Sequence, residues 1–185
     1  ERAEDAVQEA FAKAYRALVL GRAGKPREAL QAALDALNQA PEFTDALAAA
    51  GTFYAELGEN DKALEVLERE QMICPNNHHA NRLLSELLTR KGLLGRAESV
   101  LREGVRTDPK SSYPRYLLGA WLHDRGRWRE AVPLLKRAAR RLPQPERSNA
   151  QRMLARCLLE LGQPTESVAV LVPLVEADSE DKTLF

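Results

Sequence analysis

"RKGLLGRAESVLREG", residues 90–104, sets Gly92 at the end of one helical-looking stretch and begins another two residues later. Leu94 and Gly95 follow, and an apolar rhythm then runs through Ala97, Val100 and Leu101. A glycine-rich stretch ahead of a helix suits two different tasks. It can cradle a phosphate with exposed backbone N–H groups, or it can turn the chain between two antiparallel helices. The choice depends on whether the pattern recurs.

It does recur. Prolines stand at Pro41, Pro75, Pro109 and Pro143, each about 34 residues after the last. Glycines keep the same interval at Gly24, Gly58, Gly92 and Gly126, and alanines at Ala29, Ala63, Ala97 and Ala131. Leu67, Leu101 and Leu135 form a further column, which Ala33 occupies in the earlier repeat. Each column has a physical task. Glycine ends a first helix in the left-handed conformation that a Cβ disfavours. Alanine allows a second helix to cross closely, leucine fills the groove behind it, and proline stops the second helix. Gly104 falls in a second close-approach column with Ala138.

The chain therefore resembles the tetratricopeptide repeat (TPR) family. "LAAAGTFYAELGENDKALEVLE", "LLSELLTRKGLLGRAESVLREG" and "YLLGAWLHDRGRWREAVPLLKRA" carry the match. Its first-helix pattern lies in Ala50, Gly51 and Tyr54, and again in Leu118, Gly119 and Leu122, with Ser85 between Leu84 and Leu88 in the middle unit. The resemblance implies an all-α fold, a right-handed superhelical α-solenoid of antiparallel helix pairs. Five units are expected, about 10–43, 44–77, 78–111, 112–147 and 148–179, in a single array over residues 1–185. The last is irregular. Gly162 comes two residues late, Ser167 replaces the crossing alanine, and Pro173 is expected to kink or end the final helix. The first has Arg16 and Ala17 in its core columns and a long first helix reaching back to Ala3. Such end units suit caps or a fragment of a longer protein.

Composition agrees with a helical protein and excludes several classes. Hydrophobic residues make up 44% and aromatics 5%, with a mean hydropathy of −0.41. No apolar run approaches the ~20 residues of a membrane span. The lone Cys74 and Cys157 define no disulfide framework. Net charge is zero, but residues 96–156 hold 15 Lys/Arg against 6 Asp/Glu. The basic run Arg125, Arg127, Arg129, Lys136, Arg137, Arg140 and Arg141, with Trp128 interleaved, reads as a solvated outer face, so no nucleic acid is expected. The expected location is a bacterial cytoplasm or periplasm, on composition alone.

Chemistry is sparse. His78, His79, Cys74 and His123 lack the number and spacing of zinc ligands, so neither metal nor cofactor is expected. "GRAGKP", residues 21–26, departs from a phosphate loop because proline follows Lys25 and no strand precedes it. No catalytic constellation stands out, and the chain is expected not to be an enzyme.

The resemblance instead implies a binding groove on the first helices, commonly filled by a partner's peptide or helix. Its groove positions fall on Asp45, Ala48, Thr52 and Glu56, then His79, Arg82, Glu86 and Arg90. Further along they fall on Tyr113, Tyr116 and His123, then Asn149, Arg152 and Arg156. Tyrosine and arginine are the side chains enriched in binding hot spots. Arg82, Glu86, Arg90, Tyr113, Tyr116, His123, Arg152 and Arg156 are accordingly the expected contacts, for an acidic segment with an apolar residue. The Lys/Asn/Arg set that clamps chaperone tails in some relatives is absent: Ala14, Leu18, Ala49, His79 and Leu83 stand in its places. The expected function is a protein–protein interaction scaffold or adaptor, within a bacterial assembly, secretion or export complex. The alternatives are self-assembly through Val168, Leu171 and Val175, left bare by the acidic tail, and a regulatory module on a larger envelope or transferase enzyme.

Overall fold

The computed structural model describes the backbone of residues 2–182 and the side chains of residues 7–175. Its secondary structure is helical throughout: α1 (Arg2–Arg22), α2 (Pro26–Gln39), α3 (Thr44–Glu56), α4 (Asn60–Ile73), α5 (His78–Arg90), α6 (Leu94–Thr107), α7 (Tyr113–His123), α8 (Trp128–Ala139), α9 (Glu146–Glu160) and α10 (Pro164–Lys182). Consecutive helices pack as hairpins, α1 with α2 through α9 with α10. The chain divides into two compact bodies, Glu1–Thr107 with the first three hairpins and Asp108–Phe185 with the last two.

Each hairpin turn is built the same way. Gly24, Gly58, Gly92, Gly126 and Gly162 have φ of 71°, 80°, 77°, 69° and 73°. At Gly92 the glycine N–H donates to Thr89 O at 2.9 Å, and the next N–H, of Leu93, reaches back to Leu88 O at 2.9 Å. This pair of bonds closes a helix once one residue turns left-handed. The second helix starts at once, as the Ala97 N–H donates to Leu93 O at 3.0 Å. The same positions in the other hairpins, Ala29, Ala63, Ala131 and Ser167, are all buried. "RKGLLGRAESVLREG" is therefore a turn and a crossing, and "GRAGKP" is another, with Gly24 in the turn and Pro26 opening α2.

Behind the turns, small and large residues alternate across the crossing. A Cβ on Gly51 would lie 2.5 Å from Leu67 Cγ, and one on Gly119 would lie 2.9 Å from Leu135 Cγ. The third hairpin sets Ser85 against Leu101 at the same offset, both buried. The first sets Ala17 against Ala33, both with no exposure. Gly21 makes a further close approach, since a Cβ there would meet the Phe53 ring at 2.5 Å.

Of the two outcomes expected at Pro173, a kink or an end, the last hairpin excludes the end. Helix α10 continues to Lys182, and Pro133 likewise sits inside α8. Proline removes one i→i−4 bond and leaves a carbonyl four residues back without its donor. Those carbonyls belong to Arg129 and Ala169, both exposed, where water can hydrate them. Ser167 fits because its hydroxyl donates to Ala155 O at 2.8 Å, which satisfies a group that burial would otherwise penalise.

The turn between α4 and α5 is held by a polar network. Asn77 caps α5, accepting from the Ala80 N–H at 3.2 Å, and its amide donates to Glu70 Oε1 at 2.7 Å. Asn81 donates to Pro75 O at 2.7 Å. Glu70 is wholly buried, and its Oε2 has no hydrogen-bond partner. Burial is the largest cause that pushes its carboxyl up to about 7, opposed by the Asn77 bond and reinforced by Asp45.

Candidate functional site

First helices lie side by side within each body, α1 with α3 and α3 with α5 in one, α7 with α9 in the other. Residues three, four or seven apart on such helices share a face, so each body presents a surface that the second helices do not cover.

In the N-terminal body this surface contains a cleft of about 320 Å³. Leu18, Ala48, Ala49 and Phe53 supply its apolar lining, and Asp45, Thr52, Asn77 and His79 its polar part. Thr52 donates its hydroxyl to Ala48 O at 2.8 Å, so its contact with His79 Nε2 at 3.3 Å makes that nitrogen the donor. Desolvation, then the Arg82 charge, hold His79 below the usual histidine range, which suits a neutral ring in this role. Phe11 and Tyr15 extend the apolar wall from Leu18 along α1, with exposures of 57%, 62% and 49% respectively.

The residues expected from the sequence divide into engaged and open ones. Arg82 holds Glu86 at 2.6 Å on the same helix, so its charge is already partly neutralised. Arg90, at the end of α5, is exposed and has no ion-pair partner among the described residues.

In the C-terminal body Tyr113 and Tyr116 pack together on α7, ring centroids 5.9 Å apart and planes tilted by 48°. Tyr116 is half-buried. Burial, then Tyr113 and Glu146, push its phenol above the ordinary value, and Asn149 of α9 is the neighbour that counters the rise. Arg152 and Arg156 are exposed one turn apart on α9, and Arg156 has no ion-pair partner among the described residues. His123 lies at the far end of α7, with Nδ1 2.9 Å from Asp124 Oδ1. The structure thus joins Tyr113 and Tyr116 directly, while His123 is held by its neighbour.

Sequence reasoning passed over the apolar stripe of α1. Phe11, Tyr15 and Leu18 at i, i+4 and i+7 were the available signal, masked by the irregular core columns of the first unit. It also passed over Phe53, whose ring reaches the cleft because Gly21 leaves room for it. No group of three or more His, Cys, Asp or Glu side chains is arranged to hold a metal among the described residues. Cys74 Sγ instead contacts Asn76 Oδ1 at 3.2 Å. No helix among the described residues is long and apolar enough to cross a membrane.

Repeated helical hairpins with a left-handed glycine at every turn and exposed first-helix faces define a helical-repeat protein. Tetratricopeptide repeat models match residues 16–78 and 122–184. The chain belongs to the tetratricopeptide repeat family, whose members are scaffolds for protein–protein interaction. No curated protein sequence matches it. Among solved structures it is similar to MamA 41-end from Desulfovibrio magneticus RS-1, with TM-score 0.73 and 19% identity over 93% of this chain and 96% of that one. A MamA RS-1 double mutant gives TM-score 0.75 and 18% identity over 95% and 97%. At such identities the likeness is one of fold.

Proposed function

We propose that the chain is a non-enzymatic adaptor that holds a segment of another protein on its first-helix faces. In the C-terminal body the segment carries a carboxylate against Arg152 and Arg156 and an apolar side chain against the Tyr113–Tyr116 pair. The paired tyrosines on α7 and the exposed arginines on the neighbouring α9 carry this reading. Two packed aromatic rings offer a large rigid surface at little entropic cost, and a guanidinium fork matches a carboxylate. The apolar cleft between α1, α3 and α5 gives the N-terminal body its own docking surface, lined by Leu18 and His79, while Arg90 stands at the far end of α5.

The test is capture of the partner by wild type and by a Tyr113→Ala/Arg156→Glu variant, with melting curves of both. Hot-spot truncation costs about 2 kcal/mol or more, so the variant is expected to lose at least ~30-fold in affinity. Its melting temperature should stay close to wild type, because neither side chain lies in the buried core. Undiminished capture overturns the assignment.

Self-association is the second reading, favoured by bare apolar faces on both terminal helices. Val7 and Val19 on α1 are 53% and 50% exposed, and Val168, Val172 and Val175 on α10 are 57%, 44% and 67% exposed. Leu171 is partly buried, and the acidic tail expected to leave this face bare has its side chains outside the described residues. Light scattering over a concentration series decides it: a steady monomer mass excludes this reading.

A further inference from the structure

The basic run on and around α8 is not uniform. Arg125 stacks over the Trp121 ring at 3.8 Å, and Arg127 forks onto Glu130 through two bonds of 2.8 Å. Both are accounted for. Arg137, Arg140 and Arg141 are not. They line a cleft of about 240 Å³ together with Lys110, Ser112 and Arg115, and no carboxylate lines it. Arg115 donates to the carbonyls of Pro109 and Ser111, which fixes the loop that carries Lys110. Asp108, the nearest acid in sequence, accepts from the Ser111 N–H at 3.1 Å. Ser112 precedes α7 without capping it through its side chain.

Several exposed cations elsewhere pair with a glutamate three or four residues away, as in Arg102–Glu98 and Arg106–Glu103. Here the neighbours at those spacings are other cations, Arg137 with Arg140 and Arg141, and Lys136 with Arg140. Such like-charged neighbours repel one another. The dipole at a helix C-terminus favours cations, but it does not explain why a separate loop brings Lys110 and Arg115 to the same cleft.

We propose that this cleft binds a compact multivalent oxyanion of the phosphate class, through the Arg137, Arg140 and Arg141 guanidinia with Lys110 and Ser112. Guanidinium forks match the spacing of tetrahedral oxygens, and the volume suits one or a few linked phosphates. No aromatic side chain lines the cleft to stack a base, and no large apolar one to seat an amphipathic peptide. The site uses none of the residues of the tyrosine–arginine face, so either can fail alone.

Titration calorimetry of the whole chain with inorganic tripolyphosphate, against sodium chloride at matched ionic strength, tests it. Wild type is expected to bind, and Arg137→Gln/Arg140→Gln/Arg141→Gln to bind at least tenfold more weakly while melting close to wild type, since all three side chains are exposed and lost repulsion offsets the lost dipole interaction. Lys110→Gln, in an exposed loop, provides a second variant with a weaker loss. A vesicle arm, phosphatidylcholine with and without phosphatidic acid, assigns the source: binding only with phosphatidic acid marks a lipid headgroup, and no binding marks a soluble phosphate. The proposal is overturned if tripolyphosphate acts no differently from chloride or if the variants bind as wild type does. It is equally overturned if a single-stranded oligonucleotide or polyglutamate binds the cleft more tightly than tripolyphosphate.

Discussion

Gly51→Ala is the most informative single change in the scaffold, because two opposed effects of known size meet there. Alanine in place of glycine inside a helix is worth about 1 kcal/mol in propensity. The new Cβ would lie 2.5 Å from Leu67 Cγ and 2.6 Å from its Cδ2. That is the branch point of a fully buried side chain, which cannot swing aside without moving α4. Overpacking of this kind costs about 1–3 kcal/mol, so the net change should run from neutral to a loss of about 2 kcal/mol. Leu67→Ala alone should cost about 2–5 kcal/mol. In that background the obstruction is gone, and Gly51→Ala should instead stabilise by about 1 kcal/mol. The expected coupling is therefore about 1–3 kcal/mol, within the range for contacting residues. Urea unfolding followed by far-ultraviolet circular dichroism, on wild type, both single variants and the double variant, measures it from the four midpoints. Additive changes, or a stabilising Gly51→Ala in the wild-type background, would refute the crossing of α3 and α4 at this pair.

Other outcomes follow from the same structure. The two glycines of "RKGLLGR" should respond oppositely to alanine. Gly95 has open space around it within α6 and should gain about 0.5–1 kcal/mol, whereas Gly92, equally open but at φ 77°, should lose about 1 kcal/mol; thermal melts of the two variants check the sign. Glu70 gives a pH dependence. Its carboxyl titrates near 7 in the fold against an ordinary 4.5, so the folded state retains the proton longer. The associated stability is fully present below about 4.5 and is lost as pH rises through 7, on the order of 3 kcal/mol in all. Glu70→Gln still accepts from Asn77 and does not titrate, so denaturant midpoints from pH 5 to 8 should fall for wild type relative to the variant. Leu118→Ala, at a site 2% exposed, should cost about 2–5 kcal/mol in urea unfolding.

The repeating frame was legible because its physical demands fall on single residues. Only glycine turns cheaply left-handed, so Gly24, Gly58, Gly92 and Gly126 marked the hairpin ends directly. Gly51 and Gly119 stand one groove from Leu67 and Leu135 because backbone and side chain compete for one volume, which a fixed offset records. What escaped depends on partners distant in sequence. Glu70 looks like any charged helix residue until Asn77 and the burial around it are known. Pro173 looks like a helix end until its face is seen to be exposed. The division at Thr107–Asp108 leaves no mark on the repeat, since Pro109 keeps the column. On the first-helix faces proposed to bind, Tyr113 and Tyr116 could be placed by register, but the engagement of Arg82 by Glu86 is a choice of rotamer. The anion cleft needed a loop and a helix end brought together, which no periodicity encodes.

If the first-helix faces, and not the outer second helices, hold the partner, site-specific photocrosslinking will show it, with a photoreactive residue placed singly at Thr52, Glu86 or Arg156 and, for comparison, at Glu65, Arg102 or Lys136. Adducts with a common partner protein from the first three positions and none from the last three are the expected result. Adducts from Glu65, Arg102 or Lys136 alone would place the partner on the second helices instead.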